Sequence, residues 1–373
     1  MDDPGAPFHA LTVVGARPQF VKAAVVSREF ARRAAAGRGR IRETLVHTGQ
    51  HFDHGMSRVF FEEMEIPEPG VDLGIAGGSH GAMTGRMLEA LEREIVARRP
   101  DVVLVYGDTN STLAGGLAAA KLHVPVAHVE AGLRSFNRRM PEEVNRVLVD
   151  HLAALLFCPA RAAAEQLALE GVRDGVAVVG DVMVDALLHY RERALPPRLA
   201  GDYALATLHR AENTDDPARL TAIVGALAAA PIPVLLPLHP RTRAALERHG
   251  VALGGAIRPV EPLSYFDMLG QIAGCRFVAT DSGGLQKEAY TLEKKCVTLR
   301  DETEWTELVD LGANRLCGAD PQRIADAFAW ATEPAADWPK VYGAGDAAVR
   351  IVDGLEAYLA ASRTTGSEGE DPC

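Results

Sequence analysis

The chain has 373 residues, of which 47% are hydrophobic and 24% are charged, and its formal net charge is −11. This length suits two domains with buried cores, and the acidic balance argues against nonspecific nucleic-acid binding. No apolar run is long enough to span a bilayer, and the opening stretch MDDPGAPFHA does not resemble a signal peptide. The five cysteines lack the paired spacing of a zinc site or a disulfide framework. We therefore expect a soluble cytoplasmic protein without a membrane or nucleic-acid partner.

Short apolar runs alternate with helical patterns along almost the whole chain. The first series of predicted strands is ALTVVG, ETLVHTG, DVVLVYGD, VPVAHVEAG and LLFCPA; after VAVVGDVMVDALL the rhythm restarts with YALATLH, PVLLPLH, RFVATD and KCVTLR. Strands that alternate with helices indicate parallel sheets covered on both faces. We predict an α/β chain with two Rossmann-like, doubly wound domains that face a cleft, over residues 1–183 and 184–346. The polar stretch 362–373 is predicted to be a disordered tail.

The turn after the predicted strand RFVA has the composition of an anion site. In TDSGGLQKEA, Gly283 and Gly284 leave backbone N–H groups uncovered, and Ser282 can cap the helix that follows. The helix dipole favours an anion there, so the turn suits a diphosphate; the alternative is a plain glycine turn with a helix cap. Neither a Walker loop nor a GxGxxG motif is present, so the motifs predict neither ATP hydrolysis nor a bound nicotinamide.

Charged residues also follow two strands of the first domain. GARPQFVK places Arg17 and Lys22 at a helix entry, where they could grip a phosphate or form a pair of surface cations. YGDTNST ends another strand with Asp108 at its tip, and helix capping by Asp108, Thr109 or Asn110 is the alternative to a chemical role. Both turns are candidates for ligand binding, because ligands bind at the carboxyl ends of parallel strands.

The segment HVEAGLRSFNRRMPEEVNR contains three glutamates and four arginines. Glu130 lies near the end of a predicted strand, whereas Glu142 and Glu143 fall in the first turn of a helix, where the helix dipole alone favours acids. Carboxylates near arginines suit acid–base chemistry, because neighbouring cations and burial can set their pKa values apart.

Two strands of the second domain end in histidine, in LHRAEN and LPLHPRTR. A lone histidine is more often structural, and without convergent ligands we predict no metal site. Repetition favours function, because many of the chain's notable polar residues fall at strand ends or helix entries. They are Arg17, Asp108, Glu130, Glu142, His209, His239 and Ser282.

The ordered motifs resemble a known family. GARPQFVK, HTGQHFD, YGDTNSTLA, HVEAGLRS, MPEEVNR, GDVMVD, HRAEN, HPRTR and TDSGG followed by QKEA are similar to the signature of the non-hydrolysing UDP-N-acetylglucosamine 2-epimerase family. The resemblance covers all but the extreme termini and implies the glycosyltransferase-B architecture, with a C-terminal helix over about residues 347–361 that packs back on the first domain. It also implies a UDP-sugar substrate, a homodimer and no added redox cofactor.

The resemblance implies a particular reaction. The C2 hydrogen of UDP-GlcNAc is not acidic, so the family eliminates UDP across C1–C2 to give a 2-acetamidoglucal. It then adds UDP back with the opposite configuration at C2, which yields UDP-ManNAc. Such a reaction needs a base, an acid, stabilisation of an oxocarbenium-like transition state and a firm grip on the departing diphosphate.

By the same resemblance, Asp108, Glu130 and Glu142 are the catalytic carboxylates, and His209 is the catalytic histidine near the leaving diphosphate. Which carboxylate is the base and which the acid stays open. Glu288 would hold the ribose hydroxyls and Tyr265 would lie near uracil. The diphosphate clamp would be Arg17, Ser282, Gly283 and Gly284, and the predicted substrate contacts also include Lys22, Arg134, Arg210 and His239.

The chain departs from the family pattern in two places. Gln19 and Lys287 stand where the family commonly has glutamate. Many bacterial members bind a second UDP-GlcNAc through a turn that corresponds to Gln50–His51–Phe52–Asp53, and here Asp53 replaces a glutamine. Gln50 and His51 remain predicted substrate contacts, but we expect allosteric activation to be weak or absent.

The substrate and the outcome stay open. We take UDP-GlcNAc as the main expectation, although GARPQF, GDTNSTLAG, AGLRSFN and ATLHRAENTDD also resemble the branch that acts on UDP-2,3-diacetamido-2,3-dideoxyglucuronic acid. A hydrolysing epimerase that releases ManNAc and UDP is a second alternative. A glycosyltransferase is disfavoured by three carboxylates around the donor sugar, and a catalytically silent sensor by the presence of all three.

Overall fold

The computed structural model of the protein describes residues 6–50 and 68–366. The chain forms two compact units, each built on one parallel sheet. The first unit runs to Ala186 and resumes at Val341, and the second spans Leu187–Lys340. The predicted α/β class with two doubly wound parallel sheets is confirmed.

The sheet of the first unit has seven strands in the order β3-β2-β1-β4-β5-β6-β7. Its strands are β1 (Phe8–Val14), β2 (Ile41–His47), β3 (Val71–Asp72), β4 (Val102–Tyr106), β5 (Val126–Val129), β6 (Leu155–Cys158) and β7 (Val176–Val178). Its helices are α1 (Arg17–Ala35), α2 (His80–Arg98), α3 (Asn110–Lys121), α4 (Pro141–Leu152), α5 (Arg161–Leu169) and α6 (Val182–Tyr190), of which α6 continues into the second unit.

The sheet of the second unit has six strands in the order β10-β9-β8-β11-β12-β13. Its strands are β8 (Ala204–Thr207), β9 (Val234–Pro237), β10 (Ile257–Val260), β11 (Phe277–Thr280), β12 (Lys295–Thr298) and β13 (Asn314–Leu316). Its helices are α7 (Ala211–Thr214), α8 (Pro217–Ala228), α9 (Pro240–His249), α10 (Tyr265–Gly274), α11 (Gly283–Thr291), α12 (Thr306–Asp310) and α13 (Pro321–Thr332). Across the described ranges, none of the helices combines the length and apolar character needed to cross a membrane.

The central strands are apolar on both faces because both faces are covered. Every side chain of β1 and of β4 is buried, which is why these segments read as continuous hydrophobic runs rather than alternating ones. The same holds for β11 and β12 in the second unit. These strands are mostly apolar, with a few buried polar residues such as His9 and Thr12 in β1 and Lys295 in β12. The candidate site residues lie in the turns that follow the strands.

The strand order reverses once in each sheet. In the first unit β1 lies between β2 and β4, and in the second unit β8 lies between β9 and β11. At such a point the connections after the two central strands lead to opposite faces of the sheet and leave a crevice at their carboxyl ends. The turns after β1 and β4, and those after β8 and β11, are therefore the expected ligand-binding turns of each unit.

The last helix, α14 (Ala347–Gly366), packs against α1 within the first unit. The guanidinium of Arg33 on α1 is largely buried and reaches Asp353 at 2.7 Å and Glu356 at 3.0 Å. The predicted end of this helix at residue 361 is wrong, because the helix continues to Gly366 into the predicted tail. The Thr364 hydroxyl bonds back to the Ala361 carbonyl at 2.7 Å, so its polar side chain is satisfied inside the helix. Residues 367–373 lie outside the described residues.

A buried carboxyl group caps the first turn of α14. The two oxygens of Asp185 accept hydrogen bonds from the backbone N–H groups of Ala347 at 3.2 Å and Ala348 at 2.8 Å. Burial nevertheless raises the pKa of Asp185 from 3.8 to about 6. Because the folded protein favours the protonated form, the contribution of Asp185 to stability is fully present below its usual pKa of 3.8 and is lost as the pH rises through about 6.

Asp185→Asn removes this titration. We expect the difference in free energy of unfolding between the wild type and the variant to fall by about 2 kcal/mol between pH 4.5 and pH 7.5, from about 1.4 kcal/mol per pKa unit. Urea unfolding of both proteins at the two pH values measures the difference. Parallel pH profiles of the two proteins would contradict the assignment.

Candidate active site

The turn after β4 is flanked by an ion pair. The Lys22 ammonium on α1 lies 2.8 Å from the Glu130 carboxylate just after β5, and both side chains are largely buried. Gly107 has a φ of +60°, and a Cβ there would lie 3.2 Å from the Lys22 nitrogen and 3.7 Å from Glu130. The absence of a side chain at Gly107 therefore leaves room for the pair against the turn.

Glu130 itself has a backbone φ of +72°. This left-handed conformation is unusual for a residue with a side chain and persists where the surroundings determine it. Here the N–H groups of Glu130 and Ala131 both donate to the Phe157 carbonyl at the end of β6, each at 3.1 Å. The end of the neighbouring strand β6 thus holds the backbone of Glu130 and sets the direction of its side chain.

Asp108 follows Gly107 directly and is half-buried. Its carboxylate accepts a hydrogen bond from Arg146 on α4, and Asn145 donates to its backbone carbonyl at 2.9 Å. Thr109, rather than Asp108, caps α3 by accepting from the Thr112 N–H, so the capping alternative does not account for Asp108. Two carboxylates at this turn, Asp108 and Glu130, are thus each paired with a cation.

Gln19, one of the departures from the family pattern, joins the turns after β1 and β4. Its side-chain oxygen accepts from the Gly15 and Ala16 N–H groups at 2.8 and 3.0 Å. Its amide nitrogen donates to the Tyr106 carbonyl at 2.8 Å. A glutamate could not make that last contact when ionised, since a carboxylate has no hydrogen to donate. The glutamine therefore links the turn after β1 to the end of β4 through hydrogen bonds without adding a charge.

The two neighbouring glutamates of MPEEVNR have different surroundings. Glu142 is exposed on the first turn of α4. Glu143 is buried and accepts from the Ser135 and Phe136 N–H groups, each at 2.9 Å, and from the Ser135 hydroxyl at 3.0 Å. Glu143 organises the loop that precedes α4, a role the sequence did not single out, because both glutamates satisfy the helix-dipole preference equally.

A buried charged network lies under the same turns. Asp150 accepts from Arg134 at 2.6 Å and from the Gly132 N–H at 3.1 Å, and it faces Nδ1 of His128 at 2.7 Å. Burial opposes ionisation, but the contacts with His128 and Arg134 hold the pKa of Asp150 below its usual value. Arg134 also forms a bidentate pair with Glu170, with both bonds at 2.7 Å. Its guanidinium, predicted as a substrate contact, is thus engaged by two carboxylates.

Three other predicted contacts of the first unit are described to different extents. Gln50 accepts from the Ser111 hydroxyl at 2.8 Å, next to the start of α3. Arg17 begins α1, but its side chain lies outside the described part of the structure. His51, together with Asp53 of the expected second nucleotide-sugar turn, lies in the range 51–67, outside the described residues.

The turns after β8 and β11 meet in the second unit. Asp281, completely buried, accepts from the backbone N–H groups of His209 and Arg210, each at 2.9 Å, and lies 3.2 Å from Nδ1 of His209. The His239 ring lies 5.8 Å from the His209 ring. Partial burial and the charges of His209 and Arg241 lower the pKa of His239, whose Nδ1 accepts from the Arg241 N–H at 3.2 Å. The structure therefore brings His209, Arg210 and His239 together.

The glycine turn after β11 begins α11, and Ser282 caps it by accepting from the Leu285 N–H at 3.5 Å. The Trp305 indole donates to the Gly283 carbonyl at 3.0 Å from behind the turn. Lys287, which like Gln19 departs from the family pattern, lies 4.0 Å from the centre of the Trp305 ring. Gly284 is exposed, so the open side of the turn presents backbone N–H groups at a helix N-terminus.

Tyr265 and Glu288 are neighbours beside this turn. Burial, and then the charge of Glu288, raises the pKa of Tyr265 above its usual range. Among the described residues, no group hydrogen-bonds the buried Tyr265 hydroxyl. A buried hydroxyl without a partner is costly unless a ligand or water supplies one, which fits a ligand-binding role for this side chain.

The first unit thus carries two carboxylates paired with cations, and the second carries a glycine turn at a helix N-terminus. Within the described residues, no three His, Cys, Asp or Glu side chains are grouped as metal ligands. These features define an α/β protein with polar and charged side chains at the carboxyl ends of its central strands, where such folds bind ligands.

Comparison with known proteins gives the family. The sequence model of the UDP-N-acetylglucosamine 2-epimerase family matches residues 33–356. A UDP-2,3-diacetamido-2,3-dideoxy-D-glucuronate 2-epimerase from Pseudomonas aeruginosa is 51% identical over 355 residues, covering 92% of this chain and 98% of that protein. A UDP-N-acetylglucosamine 2-epimerase from Methanocaldococcus jannaschii is 38% identical over 359 residues, covering 91% and 96%.

A solved structure agrees. The crystal structure of Methanocaldococcus jannaschii UDP-GlcNAc 2-epimerase in complex with UDP-GlcNAc and UDP has a TM-score of 0.82 and 36% identity, covering 94% of this chain and 99% of that one. The chain belongs to the UDP-N-acetylglucosamine 2-epimerase family. The family recognised from the sequence motifs, and the enzyme class of epimerase, are thereby confirmed.

Proposed function

We propose that the protein is a non-hydrolysing 2-epimerase of a UDP-2-acetamido sugar, which eliminates UDP across C1–C2 and adds it back to the other face. The observation that carries the proposal is the pair of carboxylates held by cations at the turn after β4, Glu130 with Lys22 and Asp108 with Arg146. Proton transfer at C2 requires such groups at a fixed position.

Two sugars are candidates for the substrate. The 51% identity to the Pseudomonas aeruginosa enzyme supports UDP-2,3-diacetamido-2,3-dideoxyglucuronate. UDP-GlcNAc is the second candidate, supported by the Methanocaldococcus jannaschii enzyme, whose structure in complex with UDP-GlcNAc has a TM-score of 0.82. Because the first relative is the more similar in sequence, we propose the diacetamido uronate as the preferred substrate.

The mechanism assigns one task to each group of residues. Asp108, Glu130 and the exposed Glu142 exchange the C2 proton and stabilise the positive charge that develops on the ring. The turn of Ser282, Gly283 and Gly284 receives the departing diphosphate, since a helix N-terminus favours an anion. His209 lies on the turn next to Asp281 and assists that departure, while Glu288 and Tyr265 hold the nucleoside. We further propose a homodimer in the cytoplasm, which rests on the family resemblance.

NMR in D2O tests the reaction and the substrate together. The protein is incubated with each UDP-sugar in turn, and proton and phosphorus spectra are followed. We expect the 2-epimer to form with deuterium at C2 in both sugars and little free UDP, at a higher rate with the diacetamido uronate. Accumulation of UDP beside a free sugar would instead indicate the hydrolysing reaction. No exchange with either sugar would overturn the proposal.

A further inference from the structure

Asp281 is the residue that connects His209 to the anion-binding turn. It lies between β11 and α11, directly before Ser282, and none of its surface is exposed. Its Oδ2 accepts from the His209 N–H at 2.9 Å, the Arg210 N–H at 2.9 Å and the Asn213 side-chain amide at 3.3 Å. A single carboxylate thus fixes the turn after β8 against the turn after β11.

The same carboxylate faces the imidazole. Its Oδ1 lies 3.2 Å from Nδ1 of His209, a side chain that is 38% exposed. A carboxylate accepts hydrogen bonds and has no hydrogen to donate, so this placement favours a proton on the facing nitrogen. In the neutral ring, a proton on Nδ1 leaves Nε2 as the acceptor. In the charged ring, Nε2 carries a proton that can be donated to an oxygen.

We propose that Asp281 is a positioning residue, which holds His209 with a proton on Nδ1. Nε2 of the charged ring then donates its proton to an oxygen of the leaving diphosphate, and the neutral ring that remains is the Nδ1–H tautomer. This inference rests on the proposed function. The carboxylate also stabilises the positive ring, in the way that a buried aspartate supports a catalytic histidine in other enzymes. The His239 ring lies 5.8 Å from the His209 ring. Asp281 is the carboxylate that lies against His209.

The first test needs no variant. Nitrogen-15 NMR of the histidine rings, at a pH where His209 is neutral, reports which nitrogen carries the proton, and His209→Gln assigns the signal by its loss. We expect Nδ1 to be protonated in the wild type. A His209 ring in the Nε2–H form would overturn the proposal, whether or not the protein proves to be an epimerase.

The second test uses activity. Asp281→Asn keeps the size of the side chain and one accepting oxygen, but its amide can present N–H to His209 and favour the wrong tautomer. We expect kcat to fall by about 100-fold or more, by analogy with the loss when an asparagine replaces the aspartate of a catalytic triad. KM should change little, since the glycine turn is intact. Asp326→Asn, at an exposed position of α13, is the matched control and should leave kcat unchanged.

A double variant separates positioning from stability. If Asp281 acts through His209, Asp281→Asn should add nothing to the loss caused by His209→Gln, because residues that act as a unit are not additive. Additive losses would overturn the proposal and leave Asp281 a structural role. A wild type with no epimerase activity would count against the proposed function instead, and the tautomer measurement would still decide the role of Asp281.

Discussion

Replacing Glu130 by glutamine should reduce the rate of epimerisation by about 1,000-fold, within the range that general acid–base catalysis supplies. Glutamine has nearly the same size, but its amide cannot take or return a proton at C2. It also loses the ion pair with Lys22 at 2.8 Å. The measurement is the initial rate of deuterium incorporation at C2, which reports proton transfer even where net conversion is slow.

The matched control is Glu89→Gln. Glu89 pairs with Arg93 on the exposed surface of α2, so the substitution removes the same charge and also breaks an ion pair, away from the strand ends. Its rate should equal that of the wild type. The Glu130 variant should still bind UDP, because the diphosphate turn belongs to the second unit. Deuterium incorporation within about tenfold of the wild-type rate would show that Glu130 does not transfer the proton.

Asp150→Ala should lower the free energy of unfolding by about 3–5 kcal/mol, the usual cost of removing one partner from a buried charged network. The variant leaves the Arg134 guanidinium and the His128 ring facing a cavity. Because neither Arg134 nor Asp150 is appreciably exposed, bulk water does not readily replace the lost carboxylate. Because the folded protein depresses the pKa of Asp150, its stabilising contribution is present above the usual pKa and is lost as the pH falls below it. Urea unfolding at pH 7.5 measures the effect.

Glu170→Ala provides the comparison within the same network. Glu170 is 23% exposed and pairs with Arg134 from the outer side, so water can replace part of what it supplies. Glu170→Ala should lower the free energy of unfolding by clearly less than Asp150→Ala does. Equal losses for the two variants would show that burial does not govern the energetics here. Since His128 also faces the Gly107 carbonyl at 2.7 Å, Asp150→Ala should slow the reaction as well, through the turn that carries Asp108.

The strand ends could be predicted because the information is local. Glu130 directly follows a strand, and Asp108 and Ser282 each follow one after a single intervening residue. A short apolar run bounded by turn residues indicates a strand of a covered sheet. The reversal of strand order then places those ends at the ligand side of each sheet. This much of the fold and site follows from patterns spanning about ten residues.

The supporting contacts could not be predicted, because their partners are far apart in the chain. Gln19 reaches the Tyr106 carbonyl 87 residues away, and Asp281 reaches His209 at a separation of 72. Nothing local distinguishes these side chains from polar residues exposed to solvent. In the same way, the sequence does not distinguish Glu142 from Glu143. In the structure, the rotation along α4 places Glu143 inside and Glu142 on the exposed side.

The contact of α14 with α1 also bears on how the protein folds as it is synthesised. The second unit is continuous from Leu187 to Lys340, so all of its strands emerge from the ribosome before Ala347 emerges. The first unit needs α14 to give Arg33 its partners Asp353 and Glu356, and it receives them only at the end of translation. Domains generally fold in the order in which they are synthesised. Here the unit that begins first is completed last, and the one encoded in the middle of the chain can mature before it.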